Sequence, residues 1–547
     1  MTMPLPNSPG RWQQSAARRF LKWLGFSWRT ARRILITIAV IITLIAVYYA
    51  EENLRGSRAW ARYRQEAEAR GVQLDWRALI PKPVPNEENF AATPLIKSWF
   101  VVRSNYMYVA SEYWRTDNYG QAGGDYNGQI GQAIFSFRSR KDDGNRHITD
   151  LVAWKTAFDA LHVARRSRHQ IFESGKLDLA SRAQAAPSVL EALKTNEVVF
   201  AELRAANQRP YSRYPVNYDV PDPAEILLPH LSSIRSICRR LGLKACAELA
   251  LGQNKEAFQD VKLSFSVADS VKDEPFLISY LVRVACLQTT VQPIWEGLAE
   301  HAWSDAQLRE LETKLQSYDF IADLKPTLDA ERAWGVGLMN YVKSTGKLAE
   351  FNDSGTGNEP ALEQLARTVP SGWFDLEQLS YCRLFDLYIA STFDATERRV
   401  DPSRGKSNGE AIMNKTLIRN PWKALDFALI HHRILAGQLL PGLARVSYRA
   451  ATGQVAANQA VLACALERYR LANSRFPDTL DALVPQFISP LPHDVITGES
   501  YKYRRTDDGR FVLYSVGWNE KDDGGVPGKT LFDDKEGDWV WQYPASQ

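Results

Sequence analysis

Cysteine is scarce in this chain: among 547 residues only Cys238, Cys246, Cys286, Cys382 and Cys464 occur. None sits in a CxxC pair, which removes zinc-ribbon and thioredoxin-type readings. Cys238 and Cys246, eight apart in a predicted helix, lie too far along its axis to bridge. Core positions are expected for most of the five, with a long-range pair permitted in an oxidising compartment. Negative charge is missing from the start of the chain, where no Asp or Glu precedes Glu51. The same stretch carries Arg11, Arg18, Arg19, Lys22, Arg29, Arg32 and Arg33; without those seven, the net charge of +4 becomes −3. Basic character is therefore a property of the N-terminus and gives no basis for a nucleic-acid partner. Catalytic signatures are lacking too: there is no GxSxG, HExxH, Walker loop, or GxGxxG in a βαβ setting. His431 and His432 are adjacent and point to different helix faces, unlike a zinc-binding i, i+4 pair. His162 and His169 share a face without a carboxylate pair beside them, and Glu300-His301 is isolated. Trp99, Tyr106, Tyr108, Tyr113 and Trp114 are expected to pack between helices rather than line a ligand groove.

The one long apolar run is Ile34 to Ala50, ILITIAVIITLIAVYYA, seventeen residues without a charge. Its length sits at the lower limit for crossing a bilayer. Tyr48 and Tyr49 fall where interfacial aromatics belong, and Arg32 and Arg33 can snorkel at the other end. The charge bias puts the N-terminus in the cytoplasm and residues 51–547 outside it. Residues 11–33 interleave Trp12, Phe20, Trp23, Leu24, Phe26 and Trp28 with basic side chains, a pattern suited to the anionic inner leaflet. A cleaved signal peptide is the competing reading, but the leader is long and the run ends without an A-x-A site.

The remainder exceeds one ordinary core, so two or three domains are expected. The fold class read from the pattern is mainly α: a single N-terminal transmembrane helix, a large α-helical body and a small C-terminal α+β domain. The boundaries are a basic cytoplasmic segment 1–33, the membrane helix 34–50, a stalk and proline-rich linker 51–92, the helical body 93–450 and the terminal domain 451–547. Gly120 to His147 and Glu350 to Gly372 read as loops, and Arg209 to Pro223 as extended chain. Capping boxes are predicted at Ser188/Glu191, opening a helix towards Ala205, and at Ser304/Gln307. Further helices are expected from about Ala224, over Pro275–Glu300, from about Leu376, and over Trp422–Ala450. Ala245 to Val261 has the look of one helical hairpin with a Leu-Gly turn, without a second copy that would make a solenoid.

The end of the chain is the most distinctive part. Leu462, Ala465, Leu466 and Tyr469 fall on one helical face. Then come Phe476-Pro477-Asp478, a short helix at Thr479–Val484, a loop fixed by Pro485, Pro490 and Pro492, strands at Tyr501–Arg505 and Phe511–Val516, an acidic stretch, and a last strand at Asp538–Trp541. In this order, ALERYRLANSRFPDTLDALVP (465–485), YKYRR (501–505), FVLYSVGWNEKDDGG (511–525) and GDWVW (537–541) resemble the globular part of the major pseudopilin of type II secretion systems. The resemblance covers about the last ninety residues. It implies calcium held in the acidic loop, with Asn519, Asp522, Asp523, Asp533, Asp534 and Asp538 as candidate ligands, an oxygen-rich set of the kind calcium takes. The pseudopilin N-terminus, a short leader before an apolar helix with an early Glu, has no counterpart before Val455. The resemblance therefore does not imply a polymerising pilus subunit. The upstream body, with PVPNEENFAATP (83–94), resembles uncharacterised bacterial membrane-anchored proteins.

Two readings follow. The first is a non-enzymatic inner-membrane protein whose body stands in the periplasm and whose head contacts envelope or secretion proteins. The second is an extracytoplasmic enzyme or ligand-binding protein, which requires a deep pocket between helices lined by charged groups with displaced pKa values.

Overall fold

The computed structural model describes residues 28–100, 145–163, 179–347, 367–416 and 430–544. The basic segment before Trp28, most of the Gly120–His147 and Glu350–Gly372 loops, His169, the aromatic residues from Tyr106 to Trp114, and the start of the helix expected at Trp422 lie outside these residues.

The fold is mainly helical. Helix α1 (Trp28–Ala69) is followed by α2 (Pro94–Ser98), α3 (Leu151–Val163), α4 (Leu179–Leu193), α5 (Glu197–Ala206), α6 (His230–Ala250) and α7 (Asn254–Asp269). Next come α8 (Leu277–Ala299), α9 (Asp305–Gln316), α10 (Phe320–Thr345), α11 (Ser371–Tyr388), α12 (Pro402–Thr416), α13 (Ile434–Leu439) and α14 (Val446–Asn473). A two-residue hairpin, β1 (Phe393–Asp394) and β2 (Arg399–Val400), precedes α12. Strands β3 (Lys502–Arg505), β4 (Phe511–Ser515) and β5 (Trp539–Gln542) form an antiparallel sheet in the order β3-β4-β5.

Helix α1 is long and apolar enough to cross a membrane, and among the described residues nothing covers its apolar stretch from Ile34 to Val47. Exposed Ile and Leu side chains circle it from Ile34 to Val47, as the bilayer-facing surface of a lone spanning helix requires. The same helix then runs into the body without a break. Glu52, Trp60, Tyr63 and Ala67 are buried, and the last three belong to the main core. Residues 51–69 therefore do not stand free as a stalk. Glycine explains how closely they dock. Gly56 on α1 and Gly372 at the start of α11 lie so near that a Cβ on either would collide with the other helix's backbone. The proline-rich segment after α1 is docked as well: Trp76 stacks on Trp334 of α10, and the Pro81 carbonyl accepts from Arg213.

PVPNEENFAATP forms a clasp. The buried Asn89 side chain accepts from the backbone of Ala91 and Arg213 and donates to the Arg213 carbonyl. Phe90 and Glu88 exchange backbone hydrogen bonds with Tyr211, and Thr93 caps α2. This motif ties the extended 209–223 chain to the body.

Helix α6 is enclosed by three apolar clusters. Ile234, Ile237, Cys238 and Leu241 face one, Leu243 and Ala247 a second, and Ala245 and Leu249 the main core. Leu251-Gly252 makes the predicted turn into α7, with Gly252 at φ 70°, a conformation that glycine adopts without Cβ strain. Helix α14 is enclosed as well. From Val446 to Arg468 it is buried on nearly every face, because Ala450, Ala451, Gly453, Ala456, Ala457, Ala460 and Ala463 let neighbours approach closely. It packs on α8, α9 and α10 and also meets β4. The boundary expected at 451 therefore falls inside one helix, and the main core runs without interruption from Trp60 to Trp541.

Other local expectations shift. The Ser304 capping box is present as read. Ser188, however, lies inside α4, which continues through Pro187 and ends at Leu193; the break falls at Lys194–Asn196. Burial of Ala185, Ala186, Val189 and Leu193 against Trp154 and Phe158 offsets the hydrogen bond lost at the proline. The helix expected from Ala224 begins at His230, after a short turn at Pro223–Glu225. The single helix expected up to Ala450 is divided at Leu440–Leu443, where Pro441 and Gly442 occur.

If the α1–α11 contact sets the docking of the anchor, Gly372→Ala should destabilise the full chain by about 1–3 kcal/mol, the usual cost of overpacking. Gly442→Ala, which points into open space, should leave stability unchanged. Chemical denaturation of both variants in detergent micelles tests this.

Candidate functional site

Two places concentrate polar chemistry. The first is the junction where α1 leaves its apolar stretch. The Asn53 side-chain oxygen accepts from the Gly372 backbone N–H at 2.8 Å and from the Ser371 hydroxyl at 3.1 Å, so α1 caps the start of α11. Glu52 is 2 % exposed; one of its oxygens accepts from Arg55 at 2.6 Å and the other lies 3.5 Å from His432 Nε2 without a formed hydrogen bond. His432, with φ 49° in the left-handed region, is buried beside Trp373. Burial, with Arg55 nearby, pushes its imidazole down to about 4. One helix away, the fully buried Glu377 carboxyl accepts from the backbone N–H groups of Ile434, Leu435 and Ala436 at the start of α13. Burial lifts it to about 8, against the pull of those three donors.

The second place is the acidic loop. Asp538, 1 % exposed, accepts from the backbone N–H groups of Gly525 at 2.7 Å and Asp523 at 3.2 Å. Asp522 accepts from Tyr514 and from the Gly524 N–H, each at 3.0 Å. The Asn519 amide donates to Asp523. Burial, assisted by the charges of Asp523 and Asp522, raises the Asp538 carboxyl. These four residues lie together. Asp533 instead closes its own turn by accepting from Lys535 and Glu536, and Asp534 pairs at 2.6 Å with Arg445, just before α14. Among the described residues no three His, Cys, Asp or Glu side chains converge as a metal-ligand set. Four of the six candidate residues thus share one loop, with Asp522 and Asp538 engaged by hydrogen-bond donors, while Asp533 and Asp534 make contacts of their own. Beside them is an open surface depression of about 620 Å³ edged by Lys521, Lys529 and Lys535.

The body contains many buried charges, and most of them pair with one another. Arg182 joins Glu296 and Glu300, Arg283 joins Asp269 and Asp323, and Arg332 joins Asp329 and Asp386. Lys244 bridges Glu248 and Asp260, with Arg204 also on Asp260. Each group links different helices, which is the role of a cross-brace. His301 contacts Glu467 at 2.8 Å, so the apparently isolated Glu300-His301 pair bridges α8 to α14 instead. All five cysteines are buried and free. Of Glu52, Glu377 and His432, sequence reasoning names only His432, as one of two adjacent histidines, and does not bring the three together.

Compared with protein-family models, curated proteins and solved structures, the chain matches none of them.

The junction predicts a pH response. Glu377 keeps in the folded state a proton that it releases near pH 4.3 when unfolded. Its contribution is complete below that value and is lost as pH rises through about 8. His432 acts in the opposite sense, its contribution being lost as pH falls from about 6.5 towards 4. Glu377→Gln, which cannot ionise, should therefore gain stability relative to the unaltered chain between pH 5 and 8, and show a constant difference below pH 4. Urea unfolding across this range measures it.

Proposed function

We propose that the chain is a single-pass, membrane-anchored scaffold of the bacterial inner membrane. In this reading the body stands on the periplasmic side and presents the pseudopilin-like sheet to envelope or secretion proteins. The observation that carries the reading is the continuity of α1, exposed and charge-free from Ile34 to Val47 and locked into the core from Trp60 to Ala67. A helix of this kind fixes the body to the bilayer as one rigid unit. Seven positive charges before residue 34, with no acid before Glu51, support an N-terminus on the cytoplasmic side.

The layout supports presentation of the C-terminal end. Helix α11 starts beside the anchor at Gly372 and ends at Tyr388, about 24 Å further on at 1.5 Å per residue. Past that end, Arg404 and Asn408 of α12 bond Ser391 and Tyr388, and Lys406 holds the Trp518 carbonyl at 2.7 Å. The acidic loop is thereby held away from the anchor. Paired charges between the helices favour a bracing role for the body over a catalytic one.

Orientation is testable because the native cysteines are buried. Lys529→Cys, at a position 80 % exposed in the acidic loop, should react with a membrane-impermeant maleimide in intact spheroplasts. Reaction only after lysis would overturn the proposed topology. Calcium tests the loop. The hydrogen bonds of Asp522 and Asp538 predict that a chelator leaves the melting of the full chain unchanged. A calcium-specific rise would show that these carboxylates exchange their present partners for the ion, stabilising the folded state by RT ln(1 + [L]/Kd).

A further inference from the structure

We infer that the base of the body lies within the headgroup layer of the bilayer, in direct contact with lipid. The inference rests on the anchor reading above and concerns what surrounds the anchor where it emerges.

The first argument is length. Seventeen apolar residues span about 25 Å, against a hydrocarbon core of roughly 30 Å. The span is therefore too short to hold a body away from the membrane. The second is the point at which the body begins. Tyr49, still inside the apolar run, donates its hydroxyl to the Thr368 carbonyl. Tyr48 is half-covered, Glu52 is buried, and Asn53 already caps α11. No spacer separates membrane helix from body; the two overlap within one turn.

The third is what else lies at this level. Helices α10 and α11 run in opposite directions, since Lys343 pairs with Asp375 and Arg332 with Asp386. The end of α10 therefore sits beside the start of α11. Exposed Lys347, just past α10, and exposed Arg367, whose side chain lies against Gly346, accompany Thr368 and Ser371 there. This is a rim of tyrosine, hydroxyl and basic side chains around an emerging helix, a composition that suits phosphate headgroups. Leu54, 52 % exposed one turn beyond the run, has its natural cover in the same layer.

The test uses the full chain in vesicles of phosphatidylethanolamine and phosphatidylglycerol that include a headgroup-nitroxide lipid. Leu54→Cys, Thr368→Cys and Lys529→Cys are each labelled with a fluorophore; the buried native cysteines make the unaltered chain the blank. The Thr368 variant retains the backbone carbonyl that Tyr49 uses. Co-flotation with several-fold stronger quenching at positions 54 and 368 than at 529 is the expected result. Co-flotation with equal quenching at 368 and 529 overturns this inference and leaves the anchor intact. Failure to float with the vesicles overturns both.

Discussion

A single unbroken helix has two kinds of surroundings. From Ile34 to Val47 α1 presents a charge-free, largely apolar and exposed surface, and from Trp60 to Ala67 it is a core element of the body. A backbone hydrogen-bonded within itself satisfies both settings, so no joint is needed between them. The close approach of Gly56 and Gly372 makes the docking rigid. Because α11 is capped by Asn53 of α1, the body's own architecture is built outward from the anchor.

From that base, stability is distributed through two kinds of contact. Small residues let α14 and its neighbours come close, and arginine–carboxylate groups brace the helices where apolar packing leaves gaps. Burying charges this way costs desolvation, which only well-paired geometry offsets. Removing Glu296 would leave the buried Arg182 with the partly exposed Glu300 as its one remaining carboxylate partner among these pairs. Such networks favour one arrangement of helices over its alternatives more than they add to stability.

Much of this was legible in the residues. The apolar run, the Ser304 cap, the Leu251-Gly252 turn and the three terminal strands follow from local periodicity and turn chemistry, which act over a few residues. Tertiary competition was not legible. Pro187 and Ser188 carry the local signs of a helix start, yet the apolar stripe across them keeps α4 continuous. The stalk expected after Ala50 has the charge pattern of a free helix. Its buried Tyr63 bonds Asp386, more than three hundred residues away, and Trp60 and Ala67 join the main core. In the acidic loop, carboxylates that read as oxygen ligands are occupied by backbone N–H groups, whose positions no spacing rule supplies. The Glu377–His432 junction assembles from segments without a shared motif.

The end strand closes what the anchor begins. The Gln542 carbonyl accepts from Trp295 of α8, the Trp539 carbonyl from Gln459 of α14, and Trp539 and Trp541 are completely buried. During synthesis the anchor emerges first, whereas this strand arrives only after every helix of the body. The central core therefore stays open, with apolar surface accessible to proteases and chaperones, until translation has passed Trp541. A chain cut short anywhere in the body would leave Trp295 and Gln459 without the strand carbonyls that they bond.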